Sequence, residues 1–240
     1  MICRIADFNI NILHIHDYIA DFCRNYCLPD SSKCDFTVKI SEEDINEEIR
    51  FSAKSGEYHN ETAACMETLA VCRKIVGEML SRDGFLMHGV LLEHEGRGYL
   101  FTANSGTGKT THIKLWQEVF GDGVHIVNGD KPILRFIDGE VFGYGTPWCG
   151  KEGYNINTSV KLCGICFIER DKENSITELD ADSALLRVLP QVMIADSADL
   201  GKQLELVDRL LCTVPTYLLK CNMDPEAAKV AYNGMTCKDN

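Results

Sequence analysis

A chain of 240 residues can bury a sizeable core and lies at the upper end of one domain or the lower end of two. Its 24 Lys and Arg against 36 Asp and Glu leave a net charge of −12 with no basic run, which argues against a nucleic-acid partner but not against a small phosphorylated ligand held by a few local donors. The start "MICRIADFNINIL" lacks the basic, unbroken apolar pattern of a leader, and no apolar stretch reaches membrane-spanning length. The chain therefore reads as cytosolic, without a membrane partner, its twelve cysteines serving as small core hydrophobes.

Residues 1–58 alternate short apolar stretches with the acidic "SEEDINEE", a pattern that predicts short strands and loops rather than a long helix: a strand-rich N-terminal elaboration. Cys23, Cys27 and Cys34 lie close together but lack a second half-site for zinc. Residues 59–240 form the second unit. From Asn60, placed as the N-cap, Cys65, Met66, Leu69, Cys72, Val76, Met79 and Leu80 recur at helical spacing, with Gly84 past the end. "FLMHGVLL" and "GYLFTA" read as neighbouring strands, and the second runs into "ANSGTGKTT", residues 103–111. Ile113, Leu115, Trp116, Val119 and Phe120 then supply the buried side of a helix that exits at Gly121 and Gly123.

"VHIVNGD" reads as a short strand leading to Asp130, and Asp138-Gly139 marks a tight hairpin. Strands follow at 162–169 and 214–221, helical patterns near 182–189 and 199–212, and a last helix has Asp224 as cap, Pro225 at its start and Gly234 near its stop. Cys163 and Cys166, three apart on a strand, are expected on opposite faces, which speaks against a metal pair. Alternating strands and helices with a hairpin predict an α/β fold with a mixed sheet.

The stretch 103–111 carries most of the Walker A pattern. Glycines let successive backbone N–H groups turn inward at the positive end of a helix, while a lysine neutralises the β and γ phosphates. Asn104, Ser105, Gly106, Thr107, Gly108, Lys109, Thr110 and Thr111 are the candidate nucleotide-binding residues, for ATP or GTP. Ala103 stands where the pattern asks for Gly and is expected on the strand side of the loop. The Thr110 hydroxyl and the Asp130 carboxylate are candidate ligands for Mg²⁺ or Mn²⁺. "GTPWCGKEGYNIN", residues 145–157, reads as a loop covering a site. Lys151 could steady transferring phosphate and Trp148 could stack on a ligand, and a solvated turn around one buried Trp fits equally well.

"MHGVLLEHEGRGYLFTANSGTGKT" is similar to the region of bacterial HPr kinase/phosphorylases in which a His-Gly-Val strand precedes the phosphate loop. "SGTGKTT" also resembles the loop of phosphoenolpyruvate carboxykinases, a family of the same fold. The likeness covers residues 85–137. It implies a mixed-sheet, carboxykinase-type α/β nucleotide-binding fold with a small N-terminal α+β elaboration. It also gives His88 a role, assisting transfer as in the kinases or binding metal as in the carboxykinases, where the residue alone reads as a core histidine. One departure is that these families tend to carry two adjacent Asp, whereas "NGDK" leaves Asp130 without that partner, which makes His88 more attractive as base or relay.

The activity implied is an ATP-dependent kinase acting on a hydroxyl, of Ser or Thr in a small protein or peptide or of a small metabolite, with His88, Asp130 and Lys109 as its catalytic set. A homo-oligomer is compatible with the sequence. The rivals are a nucleotide-binding regulator without transfer, a carboxykinase, for which the chain is short, and a structural or redox protein built on its cysteines.

Overall fold

The computed structural model describes residues 1–55, 61–103 and 107–236, so Asn60 and the loop residues Asn104, Ser105 and Gly106 lie outside the described residues. Strands β1 (Ile2–Ile5) and β2 (Phe8–Leu13) form a hairpin whose turn residues Ala6 and Asp7 both take positive φ. After the short helix α1 (Tyr18–Phe22), β3 (Cys27–Leu28) pairs antiparallel with β1, and β4 (Phe36–Lys39) pairs parallel with β2, giving a four-stranded sheet in the order β3-β1-β2-β4.

The acidic cluster departs from expectation by forming helix α2 (Glu42–Ser55). Ser41 and Asp44 cap it reciprocally, Asp44 Oδ2 accepting from the Ser41 N–H at 2.7 Å and Ser41 Oγ from the Asp44 N–H at 3.3 Å. Glu42, Glu43 and Asp44 then fill the first turn, where negative charge favours a helix N-terminus. Helix α3 (Ala63–Leu80) follows, with Thr62 as its N-cap, and Gly84 opens the next strand.

The second sheet is mixed. It contains β5 (Gly84–Leu86), β6 (Val90–His94) and β7 (Arg97–Thr102), then, after helix α4 (Lys109–Phe120), β8 (Val124–Asn128), β9 (Ile133–Ile137), β10 (Glu140–Tyr144), β11 (Ser159–Arg170) and β12 (Ser175–Glu178). Helices α5 (Ala181–Val188) and α6 (Leu200–Thr213), strand β13 (Thr216–Cys221) and helix α7 (Glu226–Thr236) complete the fold. The order is β5-β9-β10-β11-β7-β6-β8, with β13 on β11 and β12 on β13; β7, β11 and β13 run parallel and the remaining pairs antiparallel. The Asp138-Gly139 hairpin is present, with φ of 51° and 83° at its two turn residues.

Two expectations about this sheet are corrected. "FLMHGVLL" is two strands, β5 and β6, with His88 in the break between them. Leu86 pairs with Ile133 and Leu91 with Asn128, so both strands spend the same number of residues in the break, and a bulge between Leu91 and Leu92 then shifts the register by one. The pairs at opposite ends of the strand order are thus continuations of one bent ladder, and the sheet curls until its ends are linked at this corner. In β11 a bulge between Leu162 and Gly164 shifts the strand's phase, so Cys163 and Cys166 pack against one core cluster instead of opposite ones.

Apolar residues collect in three clusters. One lies between the N-terminal sheet, α3 and residues of the large sheet such as Ile133 and Tyr144; a second joins the large sheet to α5 and α6; the third joins it to α4 and α7. Among the described residues no helix is long and apolar enough to cross a membrane.

Candidate phosphate and proton-transfer site

The phosphate-loop motif falls between β7 and α4, the strand, loop and helix order that its chemistry requires. Gly108 is the N-cap residue of α4 with φ of 123°, a conformation that side-chain-bearing residues rarely adopt, and no side chain caps the helix. The first-turn N–H groups of Lys109, Thr110 and Thr111 have no intrahelical acceptor, which is the arrangement that receives an anion.

Lys109 folds back to donate from Nζ to the Ala103 carbonyl at 2.9 Å. Burial lowers its pKa, opposed by the nearby Asp130 carboxylate, so the ammonium sits partly desolvated beside its counter-charge. Ala103 itself is buried in the third core cluster and is not among the described residues with positive φ. Its backbone is therefore one that any residue can adopt, and its methyl group contributes to packing.

Asp130 is set by a buried Asx turn. Asn128 Oδ1 accepts from the N–H groups of Asp130 at 2.9 Å and Lys131 at 2.7 Å, while its amide nitrogen donates to Thr146. Across the corner Gly89 N–H donates to the Asp130 carbonyl at 2.8 Å, and His88 N–H donates to the Gln191 carbonyl at 2.7 Å. The side chains follow from this backbone. His88 Nε2 stands 3.1 Å from Asp130 Oδ1, Lys131 Nζ pairs with Asp130 Oδ2, and His88 Nδ1 stands 3.2 Å from the Gln191 carboxamide. Thr102 Oγ1 donates to the His88 carbonyl at 2.9 Å, tying the dyad to the strand that enters the phosphate loop.

Burial alone would raise the Asp130 pKa, but the His88 hydrogen bond and the Lys131 charge outweigh it and hold the carboxyl at about 2. Nδ1 faces Gln191 Oε1, an acceptor, so that contact needs a proton on Nδ1; in the tautomer that gives its Nε2–H to Asp130, the Nδ1 lone pair is available to a donor only where the Gln191 oxygen has given way. Gln191 in turn lines a cavity of about 610 Å³, together with Ala103, Thr107, Glu169, Arg170 and Arg187.

The 145–157 loop crosses this corner. A Cβ at Gly150 would lie 3.2 Å from that of Asp130, and one at Gly129 would lie 2.7 Å from the Cys149 carbonyl oxygen. The loop thus occupies the space that a side chain at 129 would need, which is why an adjacent second Asp has no room. Lys151 and Glu152 are exposed in the same turn. Of the two readings of Trp148 the structure favours the buried one: it is 4% exposed, packs near Phe22 and donates Nε1–H to the Thr68 carbonyl at 2.9 Å.

Thr110, Gly129 and Glu152 border one small cleft. An ionised Asp130 carboxylate and the Thr110 hydroxyl are donors of the kind that fits Mg²⁺, which takes one or two carboxylates and completes its shell with phosphate oxygens and water. Among the described residues no cluster of three or more His, Cys, Asp or Glu forms a closed cage, Cys23, Cys27 and Cys34 included. The structure therefore brings together His88, Asp130 and Lys109, keeps Thr107 to Thr111 at the helix start, and adds residues the motifs did not single out: Asn128, Lys131 and Gln191. Only Asn128, in "NGD", carried a local signal.

No family model matches the chain, and no curated protein matches it. Among solved structures it is similar to that of the Hpr(Ser) kinase/phosphatase from Coxiella burnetii, at 12% identity over 62% of this chain and 89% of that one, with a TM-score of 0.38. A likeness at that level carries no functional weight.

Proposed function

We propose that the chain is a phosphotransferase that uses ATP or GTP to phosphorylate a hydroxyl. The observation that carries this reading is the His88–Asp130 contact, 3.1 Å long, beside a loop lysine close enough to feel the Asp130 charge. The helix start receives the phosphates, and Lys109, released from the Ala103 carbonyl, neutralises them. Asp130 and Thr110 would hold Mg²⁺, whose chemistry is charge neutralisation on the phosphates.

The acceptor hydroxyl enters by the 610 Å³ cavity and takes the place of Gln191 at His88 Nδ1. Its oxygen bonds to the γ phosphorus as the bond from that phosphorus to the bridging oxygen breaks. The proton passes to Nδ1, and the nucleoside diphosphate leaves. Asp130 holds the ring in the tautomer that accepts the proton and stabilises the imidazolium formed.

The test is a melting curve with millimolar Mg·ATP together with an assay of ATP consumption. A ligand at 100 times its Kd adds about 2.7 kcal/mol, roughly 5–10 °C of Tm for a chain of this size, and Lys109→Ala should abolish most of it. Unchanged melting would sink the reading, and binding without consumption would favour the regulator.

A further inference from the structure

A second cavity, of about 420 Å³, adjoins the phosphate loop. Thr107, Ile168 and Arg170 border both cavities, and the Arg170 Nε–H donated to the Thr107 carbonyl at 2.8 Å fixes that partition. The second cavity is otherwise lined by Gly108, Thr111, His112 and Leu115 of the loop and α4, by Asp171 after β11, and by Cys221 to Met223 at the end of β13; Met223 is 77% exposed at its rim.

His112 is the unusual member. It is 2% exposed, and its Nε2 accepts the Trp116 indole N–H at 3.0 Å. That bond leaves the proton of the neutral ring on Nδ1, and Nδ1 is buried with no partner. A buried N–H without an acceptor is costly; His112 belongs to the cavity wall with its Nδ1 covered, so an acceptor brought into the cavity would gain that hydrogen bond on a small shift of the ring.

We propose that this cavity takes the purine base of the nucleotide, with His112 Nδ1–H donating to one of its unprotonated ring nitrogens. The inference rests on the phosphate-loop reading and adds where the rest of the ligand goes. A purine offers apolar faces to Leu115, Ile168 and Met223, whose soft thioether adapts to an aromatic ring, and in-plane acceptors to His112. The volume lies within the range of small-molecule sites. Thr107, Gly108 and Thr111 belong both to the helix start and to the cavity wall, so one molecule can reach both. The assignment leaves the larger cavity, beside Gln191 and His88, to the acceptor.

The experiment compares affinities of the full chain for ATP, inorganic tripolyphosphate, and ATP analogues carrying carbon in place of N1, N3 or N7, all with Mg²⁺. Expected are ATP at least about tenfold tighter than tripolyphosphate, one analogue weaker by about five- to tenfold, and loss of that difference in His112→Phe. Met223→Ala, at an exposed position that leaves the fold intact, should weaken ATP severalfold and leave tripolyphosphate unchanged. Equal affinity for ATP and tripolyphosphate would overturn the cavity assignment while the phosphate loop stands. Three analogues as tight as ATP would overturn the role of His112. Binding of neither ligand would remove the phosphate-loop reading, and this inference with it.

Discussion

His88 Nε2 and Asp130 Oδ1 stand 3.1 Å apart where two strands of one antiparallel ladder break at the same level, between the pairs Leu86–Ile133 and Leu91–Asn128. We predict that the two residues fail differently. His88→Ala should leave nucleotide affinity near wild type and cut phosphoryl transfer by about 10² to 10⁴. Asp130→Asn should weaken Mg²⁺-dependent nucleotide binding and turnover together. Calorimetry at several Mg²⁺ concentrations, beside ATP turnover, separates them; equal loss of Mg²⁺-dependent binding would make His88 a metal ligand.

Gly129→Asp is expected to destabilise rather than supply a second metal carboxylate, because its Cβ would meet the Cys149 carbonyl at 2.7 Å. Forcing atoms into packed space costs on the order of 1–3 kcal/mol, and each kcal/mol lowers Tm by roughly 2–4 °C at this size. A variant with unchanged Tm and tighter Mg²⁺ binding would show that the Cys149 turn gives way freely.

Trp148→Phe should cost stability and not nucleotide affinity. The change removes the indole's bond to the Thr68 carbonyl, which keeps its own helical partner, and removes buried ring volume, together on the order of 1–3 kcal/mol. Denaturant titration beside nucleotide titration checks this. Weaker nucleotide binding with undiminished stability would return the indole to the ligand.

Acid should act in two separate windows. His112 has a folded pKa of about 4 against an ordinary 6.5, so the unfolded chain binds the extra proton and stability falls as pH drops from about 6.5 to about 4. Asp130, depressed from 3.8 to about 2, contributes stability that is complete above 3.8 and is lost only as pH falls toward 2. Unfolding free energy against pH should therefore flatten in the upper window for His112→Gln and in the lower one for Asp130→Asn. A wild-type profile that is level between pH 6.5 and 4 would contradict the buried neutral imidazole.

The strand, loop and helix around Lys109 were legible because an apolar run, a glycine-rich turn and an amphipathic period follow each other directly, and Asp138-Gly139 announced its hairpin through the φ values it needs. Helix α2 was hidden because acidic residues dominate it and its buried side is Ile45, Glu48 and Ser52, of which only Ile45 is apolar, although Ser41 and Asp44 stood at capping-box spacing. The break at His88 was hidden because both of its flanks are buried and apolar. Its mark was Gly89, where a Cβ would lie 2.9 Å from the Phe101 carbonyl. Gln191 could not be read at all, since its role comes from a contact between distant segments.

The corner that holds His88 is stitched from parts remote along the chain: Gly89 to Asp130, Met87 to Pro132, His88 to Gln191, and Met193 to Leu86. On the phosphotransferase reading, a chain that has formed only the loop and α4 would hold phosphate without orienting His88, because the ladder must bend and the segment after α5 must dock before the imidazole has a fixed direction. Chemical competence is thus a report on completed folding. Hydrogen exchange at the His88 and Gly89 amides should accordingly track the global opening of the protein rather than local fraying.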